Sequence, residues 1–173
     1  MPKIAMIGAG SLVFCQTLVM DILATDALQG SGLWLMSRTK PKLDRMNAFV
    51  KRAIKENGLP ATVHATLNRR EALDSADYVI IMVQVGGVEA FGLDIEIPLK
   101  FGVDQCIGDS MGPGGIFRGL RTVPLLQGIV DDMKELCPNA VILNYANPMA
   151  MNCLALGKMT DIPSIGLCHG VQT

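Results

Sequence analysis

Four short segments of this 173-residue chain place reactive or ligand-holding groups together. The first is Gly8-Ala9-Gly10-Ser11-Leu12-Val13. Gly8 permits a tight turn, and Gly10 lets the backbone approach a pyrophosphate. The free N–H groups of a following helix favour an anion. The third position of this G-x-G-x-x-G-like pattern is Val13, which predicts a looser approach of helix to strand. The competing reading is a glycine-rich turn with no ligand. The second segment is Ser37-Arg38-Thr39-Lys40, where a dinucleotide binder usually carries an acid for the ribose 2′-OH. Ser37 does not repel a 2′-phosphate, and Arg38 and Lys40 are placed to pair with one. The expectation is that NADP is accepted, against the alternative of a solvated basic loop.

The third segment is Asn144-Tyr145-Ala146-Asn147-Pro148. Proline disfavours helical geometry at Asn147, leaving an extended residue whose amide offers a donor and an acceptor to a sugar or nicotinamide. A turn-forming Asn-Pro pair is the plainer explanation. The fourth is Gly166-Leu167-Cys168-His169-Gly170. A thiolate at a strand end can ligate a divalent metal, and His169 can move a proton near neutral pH. One Cys and one His do not complete a site, and a buried inert Cys beside a surface His is the alternative. Between these segments, residues 108–124 read as a flexible glycine loop entering a helix that carries Arg118 and Arg121 at i, i+3. Two cations on one face beside backbone N–H groups suit an anion or polar substrate.

The elements that must position these groups alternate strand and helix. Strands are expected at Lys3 to Ile7, Leu33 to Met36, Thr62 to Thr66, Tyr78 to Val83, Val141 to Leu143 and Ser164 to Leu167. Helices are expected at Ser11 to Ala27, Lys40 to Asn57, Arg69 to Ser75, Leu120 to Leu136 and Met149 to Lys158. The second helix shows its buried stripe in Leu43, Met46, Val50 and Ile54. Alternation of this kind predicts a parallel sheet with right-handed crossovers, an α/β doubly wound Rossmann-type fold. The glycine turn then lies at the switch point between the first and fourth strands, at the carboxyl ends where such sheets bind ligands.

Composition narrows the function further. Hydrophobic residues make up 50% and charged residues 18%, which excludes a disordered chain. A net charge of −1 shows no basic excess for nucleic acid. No apolar run approaches a membrane span, and no signal peptide is evident, so a cytoplasmic protein is expected. The five cysteines lack C-x-x-C spacing and suggest a reducing compartment. Mean hydropathy is +0.36, a value that suits an apolar face awaiting another subunit or domain.

Taken together, IGAGS at 7–11, GDSMGPGGIFRGLRTVP at 108–124, LNYANPMAMN at 143–152 and GLCHGVQ at 166–172 resemble the family 4 glycoside hydrolases, the NAD-dependent glycosidases. The resemblance runs the length of the chain. Met-Ala-Met-Asn after Asn-Pro, and the Cys-His pair, look most like the α-galactosidase and α-glucosidase branch. The phospho-glycosidase branch tends to have Asp after the Cys and an Arg near the position of Phe91. The resemblance implies a lactate/malate dehydrogenase-like fold, NAD(P)+ and a divalent metal, usually Mn2+, and an unphosphorylated α-glycoside as substrate. It implies oxidation at C3 of the sugar, loss of the C2 proton and the C1 leaving group, water addition and return of the hydride. By motif, Cys168 is implied as a metal ligand and His169 as the proton donor. Asn147 is implied to hold sugar hydroxyls, and Asp109 to be the carboxylate that raises the basicity of a catalytic tyrosine. Gly8, Gly10, Ser11, Ser37 and Arg38 are the expected cofactor contacts.

Two departures qualify the resemblance. Ser37 stands where the family usually has Asp. Members of the family are also well over twice this length, and their second half supplies a His ligand, the tyrosine base and most of the sugar pocket. The chain therefore reads as a cofactor-binding domain spanning 1–173, expected to be inactive alone and to pair with a C-terminal half or to form a homo-oligomer. Half of a lactate/malate-type dehydrogenase and a non-catalytic nucleotide-binding module are the competing readings.

Overall fold

The computed structural model describes residues 1–105 and 110–168. Six strands form one parallel sheet: β1 Lys3–Ile7, β2 Gly32–Met36, β3 Thr62–Thr66, β4 Tyr78–Ile81, β5 Val141–Asn144 and β6 Ser164–Gly166. Their order across the sheet is β3-β2-β1-β4-β5-β6. The register pairs Ile7 with Met36 on one side and with Ile81 on the other. Chain order reverses between β1 and β4, so a crevice opens there at the carboxyl ends.

The helices are α1 Leu12–Ala24, α2 Lys40–Glu56, α3 Arg69–Leu73, α4 Gly87–Leu99, α5 Gly112–Leu136 and α6 Met149–Met159, with a 3-10 turn at Asp26–Leu28. Successive strand side chains point to opposite faces, and both faces are covered. Ile4, Met6, Leu33, Leu35 and Ile80 pack with Val19 and Leu23 of α1 and Leu43, Met46 and Val50 of α2. Ala5, Ile7, Val79, Ile81 and Ile142 pack on the other side with Leu73 of α3, Leu126, Ile129 and Met133 of α5, and Leu156 of α6. This is the doubly wound fold the sequence pattern predicts.

The first helix ends at Ala24, short of the expected Ala27, and two elements differ more from expectation. Helix α4 is not foreseen, because its exposed positions are themselves apolar (Val88, Leu93, Ile97) and hide the amphipathic period. Helix α5 starts at Gly112, not at Leu120. Its glycines serve packing where flexibility was the expectation. A Cβ on Gly115 would lie 3.0 Å from the Ser110 carbonyl carbon, and one on Gly119 would lie 3.3 Å from Met151 Sδ of α6.

Candidate functional site

The glycine turn is wedged between its neighbouring strands. The N–H groups of Gly8 and Ala9 both donate to the Met36 carbonyl, at 3.0 and 2.9 Å. Gly8 has φ +98°, and a Cβ there would sit 2.6 Å from the Met82 carbonyl oxygen. A side chain at Gly8 is thus excluded twice, by backbone conformation and by contact. A Cβ on Gly10 would lie 2.7 Å from Ser37 Oγ, so the end of β2 closes directly on the turn. Ser11 is the N-cap of α1 but makes no side-chain cap, and the first turn carries no acid. Its N–H groups are therefore left for an incoming anion.

Val13 corrects the sequence reading. It is 74% exposed, so it faces outward and does not separate helix from strand. Phe14 beside it is also exposed, and its ring lies 6.5 Å from that of Tyr145 at a tilt of 52°. Burial pushes the Tyr145 hydroxyl above its ordinary pKa, and the charge of Asp21 adds to the rise. Phe14 and Tyr145 thus form an aromatic contact between the start of α1 and the loop after β5.

At the end of β2, Ser37 is 7% exposed and its Oγ accepts the Thr39 N–H at 3.2 Å. Lys40 is held by Asp44 one turn on, at 2.8 Å. Of the three residues read as facing a 2′-phosphate, Arg38 is the one left exposed and without an ion pair among the described residues.

The loop after β5 is fixed from inside. Asn144, fully buried, donates through Nδ2 to the Ala146 carbonyl at 3.0 Å, and Asn152 of α6 donates to the same carbonyl at 3.0 Å. The Tyr145 N–H donates to the Ile81 carbonyl at 2.8 Å, and the Leu167 N–H to that of Asn144 at 2.9 Å. Asn147 follows, half-buried, with a cis bond to Pro148. Asn144 and Asn152 were not singled out in the sequence, yet they shape the loop that carries Asn147. Cys168 is exposed just past β6. The adjacent strand ends of β5 and β6 thus bring Asn147 and Cys168 to the same rim.

Asp109 and His169 lie outside the described residues. Among the described residues no three His, Cys, Asp or Glu side chains converge. Cys168 alone does not make a metal site. Arg118 and Arg121 do not form the free cationic face the spacing suggested. Arg121 forks onto Asp94 of α4, and Arg118 lies over the Phe91 ring at 5.7 Å. Two surface hollows of about 400 and 300 Å3 lie at the amino ends of the strands, around Thr160 and Pro2, away from this crevice.

The sequence profile of the family 4 glycosyl hydrolases matches residues 3–173. The chain belongs to that family. It is 45% identical to an α-galactosidase of Rhizobium meliloti (strain 1021) over 98% of its own length and 35% of the relative's. It is 41% identical to an α-galactosidase of Bacillus subtilis (strain 168), covering 99% of this chain and 40% of that one. The chain thus spans 35–40% of these curated relatives. A 6-phospho-β-glucosidase structure from Thermotoga maritima, solved with manganese, NAD+ and glucose-6-phosphate, superposes with a TM-score of 0.83 at 28% identity. That match covers 98% of this chain and 40% of the other. A lactate dehydrogenase from Eimeria maxima, 18% identical, superposes at a TM-score of 0.66 over 96% of this chain and 43% of its own, and shares the Rossmann-like fold.

Proposed function

We propose that this chain is the cofactor-binding part of an NAD(P)+- and divalent-metal-dependent α-glycosidase, with α-galactosides as substrate. The observation that carries the reading is the Gly8–Ser11 turn at the switch point of a family 4 sheet. Two α-galactosidases at 41–45% identity support the substrate class. Oxidation at C3 of the sugar needs a hydride acceptor, and NAD(P)+ supplies that hydride chemistry when bound.

The roles proposed for the cofactor contacts rest on the geometry of the glycine turn, and those of Asp109, Asn147, Cys168 and His169 on their match to the family's motifs. Gly8 and Gly10 keep the backbone low, and the α1 amides receive the pyrophosphate. Ser37 and Arg38 meet the adenosine ribose. The Phe14 and Tyr145 rings limit water at the crevice. Asn147 orients sugar hydroxyls through its amide. His169 carries the proton to the leaving oxygen, and Asp109 acts on a tyrosine supplied from outside the chain. Cys168 offers one soft ligand to a metal. Manganese dependence therefore rests on kinship rather than on a cluster of ligands among the described residues. No base tyrosine matching the family's lies in this chain, so turnover by the chain alone is not expected.

Calorimetric titration of the reduced chain with NAD+ and then NADP+ tests this reading. Both are expected to bind. Arg38→Ala is expected to weaken NADP+ by about fivefold, the size of one exposed charge-assisted contact, and to leave NAD+ unchanged. Binding of neither cofactor by the folded wild-type chain would remove the reading. Hydrolysis of an aryl α-galactoside by this chain alone would refute its inactivity.

A further inference from the structure

The wall of the crevice facing Gly8 is the loop leaving β4, residues 82–86. The Met82 N–H donates to the Ile7 carbonyl at 2.9 Å, tying the start of the loop to β1. Its end is Gly86, the N-cap of α4, at φ +88°. Behind Gly86 stands Arg121 of α5: a Cβ on Gly86 would lie 3.4 Å from Arg121 Nε. That Nε is buried and has no hydrogen-bond partner among the described residues. The rest of the guanidinium is forked onto Asp94 of α4, with Nη1 at 2.8 Å from Oδ1 and Nη2 on Oδ2. The Asp94 side chain is 2% exposed, and it is the one buried carboxylate among the described residues. Gln105 extends the link. Its Nε2 donates to the Asp94 carbonyl at 3.2 Å, and its Oε1 accepts the Gly114 N–H in the first turn of α5 at 3.0 Å.

Packing alone does not call for this arrangement. A carboxylate taken out of water costs several kcal/mol before pairing, and apolar residues of similar volume often serve a helix interface as well or better. What a planar fork adds is a fixed distance and rotation between the two helices. Here the fixed geometry ends at Gly86. In a doubly wound sheet the adenosine half of a dinucleotide lies over β1 to β3 and the nicotinamide half over β4 and β5. Resting on the cofactor reading above, we propose that the Asp94–Arg121 pair is a positioning device that sets the β4 loop for the nicotinamide half, acting through Gly86 without touching the ligand.

The test titrates the wild type, two disrupting variants and one conservative variant, Asp94→Glu, with NAD+ and with AMP, which fills only the adenosine half. The disrupting variants are Asp94→Asn and the double replacement Asp94→Leu with Arg121→Met. The second keeps an apolar contact between the helices, so its melting temperature is expected to hold even where Asp94→Asn destabilises. Both variants are expected to weaken NAD+ by about tenfold and to leave AMP within about twofold. Asp94→Glu, which keeps the carboxylate, is expected to recover most of the loss. Hydrogen exchange of the unliganded double variant is expected to rise at residues 84–90 and not at 8–12. An unchanged ratio of NAD+ to AMP affinity, or equal weakening of both, would overturn the proposal and leave the cofactor reading standing. A wild type that binds AMP but not NAD+ would overturn both.

Discussion

Cys15 shows how a single buried group sets a pH limit. It lies on α1 directly behind the glycine turn, fully buried, and burial pushes its thiol up to about 12 from an ordinary 9.0. The folded chain therefore holds a neutral thiol where the unfolded chain holds a thiolate. The sign follows: the contribution is complete below the unfolded value and is lost as pH rises from there toward the folded one. For one such group the loss is about 1.4 kcal/mol per pH unit. Urea unfolding at pH 8 and pH 10 is expected to show the wild type losing about 1.4 kcal/mol more than Cys15→Ala over that interval. Parallel slopes for the two proteins would mean that the thiol is free to ionise in the fold. Gly8 is legible by type alone, since only glycine tolerates φ +98° against a carbonyl. The role of Arg121 is not. A pair of arginines at i, i+3 looks the same in sequence whether it faces an anion or a buried carboxylate 27 residues away.

At the scale of elements, α3 is the shortest helix and has a tie to α5 made of charge. Arg69 Nε donates to Asp132 Oδ2 at 2.6 Å and its Nη2 to the Gly128 carbonyl at 2.9 Å, while Arg70 reaches Asp132 Oδ1 at 2.7 Å and Glu135 at 2.6 Å. Burial works against the charge of Asp132, but the bonds from Arg70 and Arg69 outweigh it and hold the carboxyl below its ordinary range. A depressed carboxylate stabilises the fold above its unfolded value and loses that contribution as pH falls through the folded one. Asp132→Asn is expected to lower stability by about 1–2 kcal/mol at neutral pH, a figure reduced by the solvent around Arg70. Thermal melts at pH 7 and pH 3 check it: the gap between variant and wild type should narrow at the lower pH, and a constant gap would count against the ion pair. The elements themselves divide by how their signals arise. β1 and α2 follow directly from an apolar run and a clean stripe, and their ends agree with the structure to within a residue. α4 stayed hidden because its outward face is apolar. The first turns of α5 stayed hidden because Gly112, Gly114 and Gly115 are placed there by contact with Ser110 and Gln105, which no local pattern records.

For the whole molecule, the outer face of α5 changes character midway along one helix. Ile116, Leu120 and Pro124 repeat at i, i+4 and i+8, and all are exposed; Ile116 is 52% and Leu120 69% accessible. Further along the same helix the outward residues are Gln127, Asp131, Lys134 and Glu135. Because α5 runs against the strands, its apolar half lies at the crevice end and its charged half at the opposite end. Val88, Leu93 and Phe101, on α4 and the loop after it, are exposed as well. Exposed apolar residues clustered along one helix and its neighbour are uncommon on a monomer in water, and the chain spans only 35–40% of its curated relatives. The isolated chain is therefore expected to associate with rising concentration and to bind an apolar dye. Ile116→Glu with Leu120→Lys places an opposite-charge pair at i, i+4 on that face, in Glu-to-Lys order, which a helix tolerates well. Since neither side chain is in the core, folding stability should change by less than about 0.5 kcal/mol. Sedimentation velocity should show the double variant monomeric at concentrations where the wild type self-associates, with dye fluorescence reduced in step. Association unchanged in a variant of unchanged stability would mean that another surface drives it, leaving the charged lower half of α5 and the exposed edge at β6 as the places to look.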